Sequence, residues 1–269
     1  LSKARKGFRM GHADVKDHMF LDGLEDAYEE GKLMGSFAED TAEHYQFTRE
    51  QQDNFAITSL ERAKKANEDG TFESEIVPIK VLNRKNEIII NKDEQPFKSD
   101  ITKIPTLKPA FRKNGTVTAA NSSSISDGAS SVILMLESEA QKRGIKPLAR
   151  IIDHSTNSQE PKWFTTAPIG AIEKVLEKSG WKKTDVDLFE VNEAFAVVPM
   201  AVMKDIGISN DILNIYGGAC ALGHPVGASG TRIVTTLINA LKKNNLKKGV
   251  ASLCIGGGEA TALTLEIIN

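Results

Sequence analysis

The chain has 269 residues, 40% of them apolar and 26% charged, and a net charge of −2 at pH 7. That suffices for a sizeable core in one or two domains, and the near-neutral balance gives no reason to expect nucleic acid or a membrane surface as partner. No apolar run approaches the roughly 20 residues that span a bilayer. The two cysteines, Cys220 and Cys254, make no disulfide framework and point to reduced thiols in a cytoplasmic compartment. The chain opens on Leu1 and runs at once into Lys3, Arg5, Lys6 and Arg9 with no apolar signal core behind them, which reads as a piece of a longer protein.

In chain order, Gly35 to Tyr45 reads as a helix. Thr48 with Gln51 three residues on forms a capping box, predicting a helix through Lys65 with Phe55, Leu60 and Ala63 inward and an end at Asn67 to Gly70. Ile76 to Val81 and Ile88 to Ile90 are short strand candidates. Asn91 to Pro109 is polar and proline-punctuated, a long excursion over a surface. Thr116 to Ser124 is small, β-branched, then serine-rich. Asp127 to Leu136 is small and apolar, and Glu137 to Arg143 is a polar helix closed by Gly144. Leu148 to Asp153 is a strand. Pro168 opens a helix with Ile172, Val175 and Leu176 inward and Gly180 at its end. Leu188 to Val191 is a strand, and a helix is expected from Asn192 to Asp205. Thr231 to Lys243 is a helix with Ile233, Val234, Leu237, Ile238 and Leu241 inward. Val250 to Ile255 and Thr261 to Ile268 are strands joined in a hairpin by Gly256-Gly257-Gly258-Glu259. This alternation predicts an α/β layer structure with its site at strand ends.

Chemistry concentrates near the end of the chain. His224 lies in a glycine-rich loop, Gly217 to Gly230, just before a helix. A histidine titrates near neutral pH, and glycines let backbone N–H groups crowd an anionic centre. Cys254 stands at the lip of the hairpin, two residues before three glycines, and can cycle between thiol and thiolate. Asn192, directly after an apolar strand, reads either as an N-cap or as an amide orienting an oxyanion. His12, His18, His44 and His154 lie in charged or polar surroundings, and Cys220 reads as a packing residue. No pair of these residues has metal-ligand spacing, so no metal is expected. There is no G-x-S-x-G, no G-x-G-x-x-G and no G-x-x-x-x-G-K-[ST], which argues against a serine hydrolase, a dinucleotide fold and a P-loop.

Together, Asn192-Glu193-Ala194-Phe195-Ala196, Gly223-His224-Pro225-Val226-Gly227-Ala228-Ser229-Gly230 and Cys254-Ile255-Gly256-Gly257-Gly258 resemble the thiolases, closely those that are acetyl-CoA acetyltransferases. Lys108-Pro109-Ala110-Phe111 and Gly115 to Asn121 look like them too. The resemblance implies the layered α/β/α/β/α thiolase fold. Here it would comprise a loop domain covering CoA (1–124), an end segment of the N-terminal domain (125–146) and the C-terminal domain (147–269), the N-terminal domain being incomplete. It implies Claisen condensation of two acetyl-CoA to acetoacetyl-CoA, and the reverse thiolysis, through an acyl-cysteine upstream of Leu1. His224 would activate that cysteine, Cys254 would move the α-proton, Asn192 would hold an oxyanion-hole water and the Gly256 N–H would donate in a second oxyanion hole. Ser123 would bond the pantetheine, with Leu24, Met34, Phe111, Phe164 and Phe195 lining its path. Acyl-CoA and CoA are the expected partners, with no other cofactor, in a homodimer or homotetramer. A 3-ketoacyl-CoA thiolase of fatty-acid β-oxidation and a catalytically inactive CoA-binding remnant are the alternatives. Without the upstream cysteine this chain is expected to be inactive alone. Ser126 to Gly144, without its partner strands, is expected to expose apolar surface.

Overall fold

The computed structural model describes residues 7, 10–83 and 86–268. The basic opening read in the sequence, at Lys3, Arg5, Lys6 and Arg9, lies outside them.

A π-turn at Phe20–Leu24 precedes α1 (Met34–Tyr45), which buries Phe37 and Ala38. Helix α2 (Arg49–Glu68) begins with the expected capping box. Thr48 Oγ1 accepts from the Gln51 N–H at 3.1 Å, and Gln51 Oε1 accepts from the Thr48 N–H at 2.9 Å. These bonds satisfy donors that the first helical turn leaves free. Phe55, Leu60 and Ala63 are buried as the pattern predicts. The helix runs past Lys65 to Glu68, and Gly70 then turns the chain at φ +77°.

Strands β1 (Ile79–Asn83) and β2 (Asn86–Ile90) pair as an antiparallel hairpin, later than the expected start at Ile76. The polar excursion carries a short helix, α3 (Gln95–Lys98), and a 3-10 turn, Ile101–Thr106. The segment 126–136 has no regular structure. In it Ile133, Leu134 and Leu136 are exposed, as expected of an apolar stretch without partner strands. It leads into α4 (Glu137–Lys142).

The remaining chain forms a four-stranded sheet, order β3-β6-β5-β4. Strand β3 (Ala149–Ser158) runs five residues further than predicted, antiparallel to β6 (Glu259–Ile267). Strand β5 (Lys248–Ile255) forms the expected hairpin with β6, Glu259 belonging to the strand rather than the turn. Strand β4 (Leu188–Val191) lies parallel to β5. Between β3 and β4, a 3-10 turn (Pro161–Thr166) leads into α5 (Ala167–Ser179). Pro168 is the second residue of α5, not the first, and Gly180 ends it in a left-handed conformation at φ +66°. Between β4 and β5 come α6 (Val197–Val202), α7 (Ala219–Leu222) and α8 (Ser229–Lys243).

Strand alternation assigns the two faces of this sheet. Phe189, Val191, Val250, Cys254, Ala260 and Ala262 pack with Ile172 and Val175 of α5. Their neighbours Leu188, Ala251, Leu265 and Ile267 pack with Ile233, Leu237 and Leu241 of α8, and Val234 and Ile238 close that cluster half-buried. Helix–sheet–helix layering puts the ends of the parallel strands β4 and β5 on one edge, where Asn192 and Cys254 emerge.

Candidate active site

The helix expected from Asn192 begins instead at Val197. Tertiary partners take the backbone of residues 192–196. The Asn192 N–H donates to Ser252 O at 3.0 Å, and the Ala196 N–H donates to Asn121 O at 2.8 Å. Ala194 O accepts from both the N–H and the Oγ of Ser123, each at 3.0 Å. The serine-rich segment thus lies along this loop like a strand, with a bridge at Ser122–Phe195. Asn192 is therefore no N-cap. It is fully buried, and its Oδ1 has no hydrogen-bond partner among the described residues.

The loop of His224 docks on the same segment. Its N–H donates to Ser124 O at 3.0 Å. Gly223 sits at φ +91°, and a Cβ there would come within 2.1 Å of Ser126 Oγ, so only glycine allows this approach. Two contacts set the ring. Nδ1 lies 2.5 Å from Ser229 Oγ, and Nε2 lies 3.3 Å from Asn192 Nδ2. The Ser229 hydroxyl donates to Pro225 O at 3.1 Å, leaving its oxygen to accept. Nδ1 therefore carries the proton, and bare Nε2 accepts from the Asn192 amide. Burial, with a smaller contribution from the Arg232 charge, pushes the imidazole down to about 4. His224 is a neutral base at neutral pH.

Cys254 is buried, and burial pushes its thiol up to about 12. It keeps its proton where His224 lacks a second one. In its resting state the site thus holds an unprotonated imidazole and a protonated thiol. Cys254 shares one apolar cluster with Phe164 and Phe195, against which Met34 and Phe111 pack. Phe111 meets Phe195 edge-on at 6.0 Å, and Phe164 meets Phe37 at 6.2 Å. Gly256 is exposed in the β5–β6 turn, and a Cβ there would lie 3.6 Å from Met34 Sδ. Leu24 is half-buried in its π-turn, outside that cluster. Gly258, at φ +90° or more, would collide with Gln159 O at 2.2 Å if it carried a Cβ, which lets the Phe164 turn close on the hairpin.

Two supports escaped the sequence reading. Ser229 was visible only as part of the glycine loop. Glu193 is fully buried and accepts from Ser59 Oγ at 2.7 Å, Asn214 Nδ2 at 2.9 Å and the Cys220 N–H at 3.1 Å. It ties the loop after β4 to α2 and α7, and burial holds its carboxyl above the usual range. Its signal was a charged residue at the end of an apolar strand. Cys220 packs as expected, its thiol 3.7 Å from Glu193 O and pushed up by burial.

Among the described residues no group of three or more His, Cys, Asp or Glu side chains could hold a metal ion, and no helix is long and apolar enough to cross a membrane.

Two family models match the chain, described as the thiolase N-terminal domain over residues 1–138 and the thiolase C-terminal domain over residues 145–267. The "probable acetyl-CoA acetyltransferase" of Dictyostelium discoideum is 51% identical over 98% of this chain and 64% of its own length. The crystal structure of Bacillus anthracis acetyl-CoA acetyltransferase superposes with a TM-score of 0.95 at 42% identity, over 100% of this chain and 68% of that one. The Acat5 thiolase of Ascaris suum, solved in complex with coenzyme A, superposes with a TM-score of 0.87 at 38% identity, over 97% and 67%. The chain spans about two thirds of the length of these relatives.

Proposed function

This chain belongs to the thiolase family and has its fold, and we propose that it serves an acetyl-CoA C-acetyltransferase. The reaction joins two acetyl-CoA into acetoacetyl-CoA and runs in reverse as thiolysis. The observation that carries the reading is the neutral His224, its bare Nε2 held by Asn192, at the strand edge that also presents the protonated Cys254.

Each group has a step. The acyl group rides on a cysteine outside this sequence, whose thiol proton the bare Nε2 of His224 accepts. Once it has taken that proton, Nε2 helps hold the thioester oxygen as it gains charge, and Asn192 beside it holds the oxyanion-hole water. In thiolysis, Cys254 in its thiol form protonates the departing acetyl-CoA carbanion at the α-carbon. In condensation it first gives its proton to the CoA thiolate that leaves on acylation, and the Cys254 thiolate so formed removes the α-proton of the second acetyl-CoA. The Gly256 N–H donates to the second oxyanion. Ser123 meets the pantetheine, and Met34, Phe111, Phe164, Phe195 and Leu24 border it. The edge-on Phe37–Phe164 pair beside Cys254 supports a short acyl group over the long chains of β-oxidation.

On this reading residues 1–124 cover CoA, 125–146 end the N-terminal domain and 147–269 form the C-terminal domain. The assembly is a cytoplasmic homodimer or homotetramer, with CoA as substrate and no further cofactor.

Two assays test the proposal. Calorimetric titration with CoA should show binding, and Ser123→Ala should weaken it about fivefold, the worth of one hydrogen bond. No binding refutes the reading. Acetoacetyl-CoA thiolysis by this chain alone should be absent. Turnover by it would put the acyl group on Cys220 or Cys254, and acylation of Cys254 would remove the role given to that residue.

A further inference from the structure

Arg232 stands in the first turn of α8, three residues after Ser229, whose hydroxyl meets the His224 ring. Its guanidinium reaches to β4, where Nη1 lies 3.5 Å from Oε2 of Glu190, two residues before Asn192. Glu190 is 2% exposed. Its Oε2, and both terminal nitrogens of Arg232, make no hydrogen bond among the described residues. More carboxyls face the same cation. Glu75 follows the turn after α2, and its Oε1 accepts from Thr236 Oγ1 at 3.0 Å, one helical turn beyond Arg232. Asp93 is tied to Asn67 of α2. Glu75, Asp93, Glu190 and the more distant Glu193 all feel the Arg232 charge.

The guanidinium thus contacts the carboxyl of the strand and acts through its charge on the carboxyls of the segments after α2. Full ionisation of Glu75, Asp93 and Glu190 against it would leave two excess negative charges in a buried space. Burial accordingly pushes Glu75 up to about 7 and Glu190 up to about 8. Against that burial the Arg232 charge pulls each carboxyl towards its ionised form, and each carboxyl comes from a different place in the chain.

We propose that Arg232 is a positioning residue of the candidate site: its guanidinium clamps the strand that carries Asn192 to the helix that carries Ser229. The contact between Asn192 Nδ2 and His224 Nε2 joins these two elements and is already long at 3.3 Å. A slip of about 1 Å between strand and helix would open it, with the loss of alignment that such slips bring. Ser229 carries the position of the helix to the ring, so the clamp fixes both nitrogens of His224 at once. The guanidinium also sits close enough to disfavour a second proton on that ring. This goes beyond the proposed reaction; it rests on the strand–helix geometry and on the reading of Asn192 and His224 as site residues.

The test uses the full chain with 15N-labelled histidine and asparagine, observed by NMR across pH 3 to 8. His224→Asn identifies the imidazole signals and Asn192→Ala the amide signals. In Arg232→Met, checked as folded by circular dichroism, the Asn192 amide signals should shift and broaden as the contact to His224 opens, and the His224 midpoint should rise as the positive charge leaves. A folded Arg232→Met with unmoved Asn192 amide signals overturns the proposal. If that variant does not fold, Arg232→Lys decides. Lysine keeps the charge but not the planar fork, so the midpoint should stay while the Asn192 amide signals shift and broaden. Unmoved amide signals in Arg232→Lys overturn the clamp. Neither readout needs CoA or acyl transfer, so failure here leaves the proposed function standing, and failure to bind CoA leaves the clamp standing.

Discussion

His224 links one side chain's surroundings to the pH dependence of the whole fold. Folded, its imidazole is pushed down to about 4, against an ordinary value of 6.5 in the unfolded chain. Between these values the unfolded chain binds the extra proton, so unfolding is favoured as pH falls. The stability due to neutral His224 is complete above pH 6.5 and is lost as pH falls towards 4. A displacement of that size is worth up to about 3 kcal/mol. His224→Asn abolishes this part alone. The stability difference between wild type and variant, from urea unfolding at pH 7 and pH 4, should shrink by up to about 3 kcal/mol on acidification. A constant difference would mean that the ring titrates like an exposed histidine. The type of residue was legible from the glycine loop. Its protonation state was not, because that depends on burial and on Asn192, which comes from another part of the chain than Ser229 and Arg232.

Elements whose reasons are local follow the sequence closely. The Thr48–Gln51 box opens α2, Gly180 closes α5, and the inward faces of α2, α5 and α8 are those the apolar spacing marks. Thr48→Ala removes one side-chain acceptor and the reciprocal geometry, and should cost about 1 kcal/mol of stability in chemical denaturation without altering the site. A cost near zero would mean that packing alone sets where α2 begins. Residues 192–196 fail as a helix for the opposite reason. Propensity favours continuing from Asn192, but Ser252, Asn121 and Ser123 claim the backbone first. Asn192 owes its buried amide, set against His224, to that interruption.

For the molecule as a whole, the sheet with α5 and α8 on its two faces, together with the buried α6, carries most of the buried apolar residues of the C-terminal part. The run 132–136 contrasts with it. Ile133 is 86% and Leu136 77% exposed, with Leu134 between them also in solvent and no regular structure to pair the backbone. A contiguous apolar strip of this kind drives association. Light scattering should show concentration-dependent self-association of this chain, reduced in an Ile133→Asp, Leu134→Asp double variant that keeps its circular dichroism. Equal association by the variant would assign it to another surface, such as the exposed isoleucines of the β1–β2 hairpin.

By itself the sequence determined the α/β class, the order of the elements and the three motifs around Asn192, His224 and Cys254. These follow from periodicity, capping and glycine placement, which act over a few residues. Only the tertiary structure decided that Asn192 lies in a loop, that Nδ1 of His224 carries the proton, and that Glu193 and Arg232 hold the loops around them. Those properties come from burial and from hydrogen bonds that reach across the chain, Asn192 meeting His224 and Ser59 meeting Glu193. Of the contacts that set the ring, only that of Ser229 lies within a short window of sequence.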